Sequence, residues 1–141
     1  MSHLIVIDTC VLISALRSRN GASFKLLSLI DSKKFTFFLS VPLVLEHEAV
    51  AKRMSRILGL THSDIEDIID YICTVGDHRK VHFLWRPNLK DPSDDFVLEL
   101  AVESECNYIV THNIKDFKDI NKFNLKAITP QELLRKIGEI S

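Results

Sequence analysis

The chain has 141 residues, which is enough for one domain that buries about two-thirds of the surface exposed by its unfolded form. Hydrophobic residues make up 46% of it and charged residues 26%, with four Gly and four Pro, and this composition excludes a disordered or fibrous chain. The formal net charge of −1 neither supports nor excludes a nucleic-acid partner, because carboxylates gathered at one site could mask a basic rim elsewhere.

Predicted strands and helices alternate along the chain. In chain order they are a strand at 4–7, a helix that ends at Leu16, a helix at 22–30, a strand at 35–39, helices at about 42–58 and 63–75, a strand at 81–85, a helix from 91 to about 104, strands at 108–110 and 127–128, and a helix from Pro130. No repeat or low-complexity segment divides them, so we expect a single domain over residues 1–141. The alternation predicts an α/β fold, a three-layer α/β/α domain with a central, mostly parallel sheet that binds ligands beyond the carboxyl ends of its strands.

The compartment is indicated by two further features. The apolar run 4–16 lacks a basic leading segment, is broken by Asp8 and is shorter than the roughly 20 residues that span a membrane. Cys10, Cys73 and Cys106 are odd in number and contain no CxxC pair, which favours neither a disulfide framework nor a zinc site. We therefore expect a soluble, cytoplasmic protein with reduced thiols and no membrane contact.

Asp8 is the first candidate for a site residue. It follows the first predicted strand directly, so we expect it at the carboxyl end of the sheet. It is also a favoured residue for capping the helix that follows, and Thr9 could cap that helix as well. Position alone favours the capping role for Asp8.

The third predicted helix carries two acids. Glu46 has Leu43, Ala49 and Val50 at i−3, i+3 and i+4, so we expect it on a stripe that is otherwise apolar, where a carboxylate needs a partner. Glu48 has comparably apolar neighbours. Periodicity therefore leaves the choice between the two open, and either could be a solvated helix charge.

Several acids open the helix that is predicted from residue 91. Asp91 can cap it and Pro92 suits its first turn, which leaves Asp94 and Asp95 as additional acids. The helix dipole favours acids in a first turn by ~0.3–1 kcal/mol, so both could be simple helix acids. On a helical wheel Asp94 lies on the apolar arc and Asp95 at its edge, beside the polar line of Glu99, and we therefore favour Asp94 as the site residue.

The turn after the fourth predicted strand is also polar. Thr111 ends that strand, and the turn contains His112, Asn113 and Asp116, so polar oxygens again gather at a strand end. Asn113 and Asp116 could simply be turn formers. His112 is a possible general base or metal ligand, although a lone histidine is more often a surface residue, and the same holds for His47.

Carboxylates from four distant segments would repel one another once gathered. Two like charges ~4 Å apart repel by about 4 kcal/mol at an effective dielectric of 20, and a divalent cation would relieve that repulsion. Hard carboxylate oxygens suit Mg²⁺ or Mn²⁺, which lower the pKa of a bound water and stabilise charge developing on a phosphate. The acids therefore indicate phosphodiester hydrolysis.

Together these segments resemble the PIN domain family. The family pattern is a strand followed by DTxVL, a helix bearing Glu, an Asp-rich helix start, and a strand followed by VTxN/D-xx-DF. The matching segments are IVIDTCVL, VLEHEAV, DPSDDFVLELA and IVTHNIKDF. Each motif is weak alone, but four in the right order over nearly the whole chain make the resemblance fairly specific. The chain is most similar to the branch of toxin components from prokaryotic toxin–antitoxin pairs, the VapC-type toxins.

The resemblance implies a metal-dependent endoribonuclease that cleaves single-stranded RNA with Mg²⁺ or Mn²⁺, forms a homo-oligomer and has a cognate antitoxin as a partner. The catalytic and metal-binding acids that it implies are Asp8, Glu46, Asp94 and Asp116, and the auxiliary residues are Thr9, Asp95, Thr111 and Asn113. Many members have Asn at the position of Cys10 and Asp at the position of Asn113, so either Asp116 or the amide of Asn113 serves as the fourth ligand. RNA would be held by the basic residues nearest the acids in sequence, for each of which a solvated position is the alternative: Arg17, Arg19, Lys52, Arg53 and Lys115.

Functions of other classes fit the sequence less well. A PIN-like module that binds RNA or a protein without cutting is permitted by Asn113, although the three better-matched acids argue against it. A phospho-acceptor receiver domain would have an acidic pair after the first strand, whereas Asp8 lies between Ile7 and Thr9. A nucleotide-binding fold is disfavoured because neither GxGxxG nor GxxxxGK[ST] occurs.

Overall fold

A computed structural model of the chain describes residues 3–81 and 92–141, and the side chains of 92 and 93 are not described. The strands are β1 (His3–Ile7), β2 (Phe35–Leu39), β3 (Asp77–His78), β4 (Tyr108–Val110) and β5 (Lys126–Ile128). The helices are α1 (Thr9–Arg17), α2 (Ala22–Ser28), α3 (Val41–Arg53), α4 (Ser55–Leu58), α5 (His62–Val75), α6 (Pro92–Glu103) and α7 (Pro130–Lys136), with two 3₁₀ helices at Ile114–Phe117 and Ile120–Phe123. Within the described ranges no helix is both long enough and apolar enough to cross a bilayer.

The strands form one parallel sheet in the order β3-β2-β1-β4-β5. The central strand is β1, whose Ile5 pairs with Phe37 of β2 on one side and with Tyr108 of β4 on the other. In chain order, β2 and β3 are therefore added on one side of β1, and β4 and β5 are added on the other side. The carboxyl ends of β1 and β4 flank this reversal, where open α/β sheets form their ligand-binding crevices.

Side chains of β1 alternate between two packed faces, because successive residues of a strand point to opposite sides. Ile5 belongs to a core that also contains residues of α1, α2, α5 and α7, whereas Val6 packs in a second core with α6. Both side chains are fully buried. The structure confirms the predicted α/β/α arrangement of helices on both faces of a parallel sheet.

Most predicted elements agree with the structure to within two residues at their ends. The helix predicted at 42–58 is wrong as a single element, because α3 ends at Arg53 and the short α4 begins at Ser55. The two-residue strand β3 was not predicted, and it pairs with Phe38 and Leu39 at the edge of the sheet. The strand predicted at 81–85 lies, beyond its first residue, outside the described part of the chain.

Candidate active site

β1 carries Asp8 to the carboxyl edge of the sheet. The Asp8 backbone N–H donates to the carbonyl of Val110 at 2.9 Å, and its extended conformation places it at the N-cap position of α1. Its carboxylate makes no capping hydrogen bond, and Oδ2 instead accepts the hydroxyl proton of Thr111 at 2.8 Å. The capping role favoured by position alone is therefore wrong for this side chain, which faces the end of β4.

The surroundings of Asp8 are unfavourable for a carboxylate. The residue is 6% exposed, and none of the Lys and Arg side chains in the described ranges forms an ion pair with it. Desolvation raises the pKa of the Asp8 carboxyl and the charge of Glu46 raises it further, against the hydrogen bonds from Thr111 and Cys10. A buried carboxylate that interacts with a second carboxylate is a natural position for a cation.

A second group of polar side chains joins α1 to α3. Thr9 Oγ1 donates to Glu46 Oε2 at 2.6 Å and lies 2.8 Å from His47 Nδ1. His47 is only 3% exposed, and burial lowers its pKa to about 4, so the ring is neutral at pH 7. Thr9 thus connects a candidate catalytic carboxylate to a buried, neutral imidazole.

The expectation of a surface position for His47 is wrong. The buried residues of α3 are Leu43, His47 and Ala51, spaced at i, i+4 and i+8 along one face of the helix. Glu46 flanks this face and is partly buried, while Ala49, expected on the same stripe as Glu46, is exposed. The spacing of Leu43, His47 and Ala51 is the signal in the sequence that could have identified the buried histidine.

The two acids of α3 face different neighbours. Glu46 accepts a hydrogen bond from Thr9, whereas Glu48 forms an ion pair with Lys52 at 3.2 Å. Lys52 also pairs with Glu66 of α5 at 2.7 Å, so its charge is already opposed by two carboxylates. The other basic residues considered for RNA contact are exposed: Arg17, Arg19, Arg53 and Lys115.

The turn after β4 is organised by Thr111. This residue is fully buried, and while its hydroxyl donates to Asp8, the same oxygen accepts the backbone N–H of Asn113 at 3.0 Å. Asn113 precedes the 3₁₀ helix Ile114–Phe117, and its carbonyl accepts the backbone N–H of Asp116 at 3.0 Å. The side chains of Asn113 and Asp116 are exposed, so both can be approached by a ligand.

Cys10 fills the space between Asp8 and this turn. Its Sγ donates to Asp8 Oδ2 at 3.4 Å and accepts the backbone N–H of His112 at 3.5 Å. Burial, with a further contribution from the charge of Asp8, raises the pKa of the Cys10 thiol to about 11, so the sulfur is uncharged at pH 7. The exposed ring of His112 is held by Ser23, whose hydroxyl lies 2.9 Å from Nε2.

α6 packs against β1, β2, β4 and α3 and brings more acids to the sheet. Asp95 is 1% exposed and Glu99 is also buried, whereas Asp94 is partly buried. The helical wheel puts Asp95 at the polar edge of α6, yet in the structure Asp95 is more buried than Asp94. The reason is that α6 is enclosed over most of its circumference, so positions beside its polar line are interior as well. The expected helix cap, Asp91, lies outside the described residues.

Among the predicted acids, the carboxylates of Asp8 and Glu46 interact with each other. No group of three His, Cys, Asp or Glu side chains that could hold a metal occurs in those ranges. Asp8 and Glu46 interact electrostatically, and their hard oxygen atoms fit a divalent cation, which would relieve the repulsion between them. Two carboxylates with water ligands are a common site for Mg²⁺, so this pair fits the cation that the acids predict.

Comparison with known proteins agrees with this architecture. A sequence profile described as PIN domain matches residues 4–115. No match was found among curated proteins. Among solved structures, the chain is similar to the crystal structure of VapBC2 from Rickettsia felis bound to a DNA fragment from their promoter, with a TM-score of 0.62 and 14% identity over 89% of this chain and 98% of that chain. At this identity the likeness shows the fold alone.

Proposed function

The chain belongs to the PIN domain family, and from that premise we propose that it is a metal-dependent endoribonuclease that cleaves single-stranded RNA. The observation that carries this proposal is the pair formed by Asp8 and Glu46 at the carboxyl edge of the sheet. Burial, with a smaller contribution from the negative charge of Glu46, raises the pKa of Asp8, and neither acid has a cationic side-chain partner in the described ranges. A bound divalent cation is the simplest source of the missing positive charge.

In this proposal Asp8 and Glu46 hold Mg²⁺ or Mn²⁺, and Asp94 and Asp116, which the described part of the chain does not bring into one group with them, complete the site when the cation binds. The amide of Asn113 is the alternative to Asp116, and Asp95 is an auxiliary acid. When bound, the cation lowers the pKa of a water and stabilises negative charge that develops on the phosphate.

The chain's own side chains orient the ligands. Thr111 holds Asp8 Oδ2, and Thr9 holds Glu46 Oε2. Each hydroxyl donates to one oxygen of its carboxylate, and we propose that the second oxygen of each acid binds the cation.

RNA is proposed to bind through its phosphates to the exposed basic residues that lie nearest these acids in sequence. Arg17 ends α1 and Arg19 follows it, Arg53 ends α3, and Lys115 lies in the turn after β4. Such contacts give affinity that does not depend on sequence and that weakens as salt rises. Lys52 is left out of this group because Glu48 and Glu66 already oppose its charge.

We further propose that the chain is the toxin of a type II toxin–antitoxin pair, forms a homo-oligomer and acts in the cytoplasm. The similar structure is that of a VapBC2 assembly, and its fold is shared over 89% of this chain. Val41 and Leu45 are 72% and 58% exposed on α3, close in sequence to Glu46, and apolar side chains of this kind can contact a protein partner. The free thiols of Cys10, Cys73 and Cys106 fit a reducing compartment.

The second candidate function is a PIN-like module that binds RNA or protein without cutting. It is favoured by the lack of any group of three metal-binding side chains in the described ranges, and by Asn113 at a position where an acid would strengthen the site. The two functions differ in turnover, because the binding module would not cleave RNA.

The test is cleavage of end-labelled single-stranded RNA in Mn²⁺, in Mg²⁺ and in EDTA, with Asp8→Asn as the matched variant. We expect products only with metal, and none from the variant. Undiminished cleavage in chelator by protein shown to be metal-free by elemental analysis would contradict the mechanism. RNA binding without cleavage in either metal would favour the binding module.

A further inference from the structure

His47 is a buried polar residue that the proposed chemistry leaves without a role. It lies on the face of α3 that packs into the protein, between Leu43 and Ala51, where an apolar side chain would be ordinary. Its Nδ1 atom is 2.8 Å from Thr9 Oγ1, in a buried contact. Because the Thr9 hydroxyl also donates to Glu46, the side chain of Thr9 connects the imidazole to a proposed metal ligand.

The direction of these hydrogen bonds follows from a count of protons. Thr9 has one hydroxyl proton, and at 2.6 Å it is donated to Glu46 Oε2. Thr9 Oγ1 can then only accept from His47, so Nδ1 must carry a proton, and in the neutral ring Nε2 carries none. In the other tautomer Nδ1 would be an acceptor and would compete with Glu46 for the single proton of Thr9. Which ring nitrogen of His47 carries the proton therefore determines whether the Thr9 hydroxyl donates to Glu46.

We propose that His47 is a positioning residue for Glu46, acting through Thr9, so that a ring with its proton on Nδ1 directs the Thr9 hydroxyl toward the carboxylate. The inference rests on the proposed function, in which Glu46 is a metal ligand. Thr9 is the first residue of α1 and follows Asp8 directly, so the same contact fixes Glu46 relative to the other carboxylate of the pair.

The first measurement is the ring ¹⁵N spectrum of the unaltered protein without metal or RNA. We expect a neutral His47 with a proton on Nδ1 and a bare Nε2. A ring protonated on Nε2 would overturn the inference. This outcome would leave the proposed nuclease function untouched, because it concerns only the direction of one hydrogen bond.

The second measurement is Mn²⁺ affinity by titration of His47→Leu, with His47→Asn as the matched variant. Leucine fills the space but has no donor, whereas the Asn side-chain amide can place an N–H near the position of Nδ1. We expect Mn²⁺ binding to weaken by about 10- to 100-fold in His47→Leu and to return toward the parent value in His47→Asn, as for other residues that orient metal ligands. Equal affinity of the parent and His47→Leu would overturn the inference.

Two further variants keep the test decisive if His47→Leu does not fold. Thr9→Val removes the hydroxyl that connects the ring to Glu46, and Thr9→Ser restores it. We expect the same loss of Mn²⁺ affinity in Thr9→Val and its recovery in Thr9→Ser, with thermal unfolding recorded for each variant. Unchanged affinity in Thr9→Val would contradict the inference. A parent protein that neither binds Mn²⁺ nor cleaves RNA would instead contradict the proposed function, and the role of His47 with it.

Discussion

The hydroxyl of Thr111 donates to Oδ2 of Asp8 at 2.8 Å, and this contact joins the ends of the two strands that flank the reversal of the sheet. Thr111 follows β4 directly and Asp8 follows β1, and the backbone N–H of Asp8 also bonds to the carbonyl of Val110. The carboxylate is therefore held by the sheet itself. The helix that Asp8 precedes adds one longer contact, from Cys10 Sγ to Oδ2 at 3.4 Å.

Without metal, Asp8→Asn should make the protein more stable at neutral pH. Burial, chiefly, raises the folded-state pKa of Asp8 above its ordinary value of 3.8, so the protonated form is favoured by folding. The stability due to this group is then fully present below pH 3.8 and is lost as pH rises through the raised pKa. Thermal unfolding in chelator across that pH range should show the loss in the parent and not in the variant.

Added Mn²⁺ should reverse this order. A ligand that binds only the folded state stabilises it, so the metal should raise the unfolding temperature of the parent and have little effect on Asp8→Asn. A parent that is unaffected by Mn²⁺, or a variant that responds equally, would show that Asp8 is not a ligand.

RNA affinity should depend on Arg53 and not on its neighbour Lys52. Arg53 is exposed at the end of α3, whereas Lys52 is paired with Glu48 and Glu66. With cleavage removed by Asp8→Asn, Arg53→Ala should weaken binding and reduce the slope of log affinity against log salt by about 1. Lys52→Ala should leave that slope unchanged. The measurement is fluorescence anisotropy of labelled single-stranded RNA over a salt series, and equal effects of the two variants would contradict the proposed contacts.

The elements that could be predicted from sequence are those with a strong local pattern. Phe35–Leu39 is a continuous apolar run, and the helix near 63–75 has isoleucines at helical spacing, so both were predicted within one residue of their bounds. β3 has only two residues, Asp77 and His78, and both are exposed, so no hydrophobic pattern marks it. β3 forms because its backbone pairs with β2, and the position of β2 beside these residues is set by the assembled sheet.

The positions of the site residues can be predicted from sequence where the end of a strand determines them. They are harder to predict where the packing of several elements determines them. Asp8 and Thr111 could be assigned to one edge of the sheet because parallel strands end together. The burial of Asp95 could not, because it depends on how many elements enclose α6. His47 is a different case, because the usual surface position of a lone histidine predicts an exposed ring, whereas its spacing from Leu43 and Ala51 predicts a buried one.

Gly76→Ala should destabilise the fold without a direct effect on the site. A Cβ atom at this position would lie 2.6 Å from Leu39 Cδ1 and 2.8 Å from Phe37 Cε2, and both side chains are buried in β2. Overpacking of this kind costs about 1–3 kcal/mol. Gly21→Ser is the control, since no atom lies within 4 Å of a Cβ there and serine is a good N-cap for α2. Urea unfolding of the three proteins measures the difference, and equal stability of parent and Gly76→Ala would contradict the close packing.

Replacing Asp94 with Asn tests whether the third acid binds the metal or only begins a helix. Asp94 is partly buried in the first turn of α6, which packs against β1 and α3, the elements that position Asp8 and Glu46. As a metal ligand it should be required for turnover, so Asp94→Asn should lower RNA cleavage by on the order of 100-fold or more, beyond the loss typical of residues that only orient ligands. Glu103→Gln is the matched control, because it removes one exposed acid from the end of the same helix and should leave cleavage unchanged.

The stability of the same Asp94 variant separates the two roles. If Asp94 belongs to a cluster of repelling carboxylates, its neutralisation in chelator should leave the protein as stable as the parent or slightly more so, since relief of the repulsion should exceed the ~0.3–1 kcal/mol lost from the helix dipole. If it is only a first-turn acid, the variant should lose a little stability and keep its activity. Thermal unfolding in EDTA and RNA cleavage in Mn²⁺, measured on one preparation, distinguish these outcomes. An active Asp94→Asn protein would remove this residue from the site and leave Asp8 and Glu46 to hold the cation with the turn after β4.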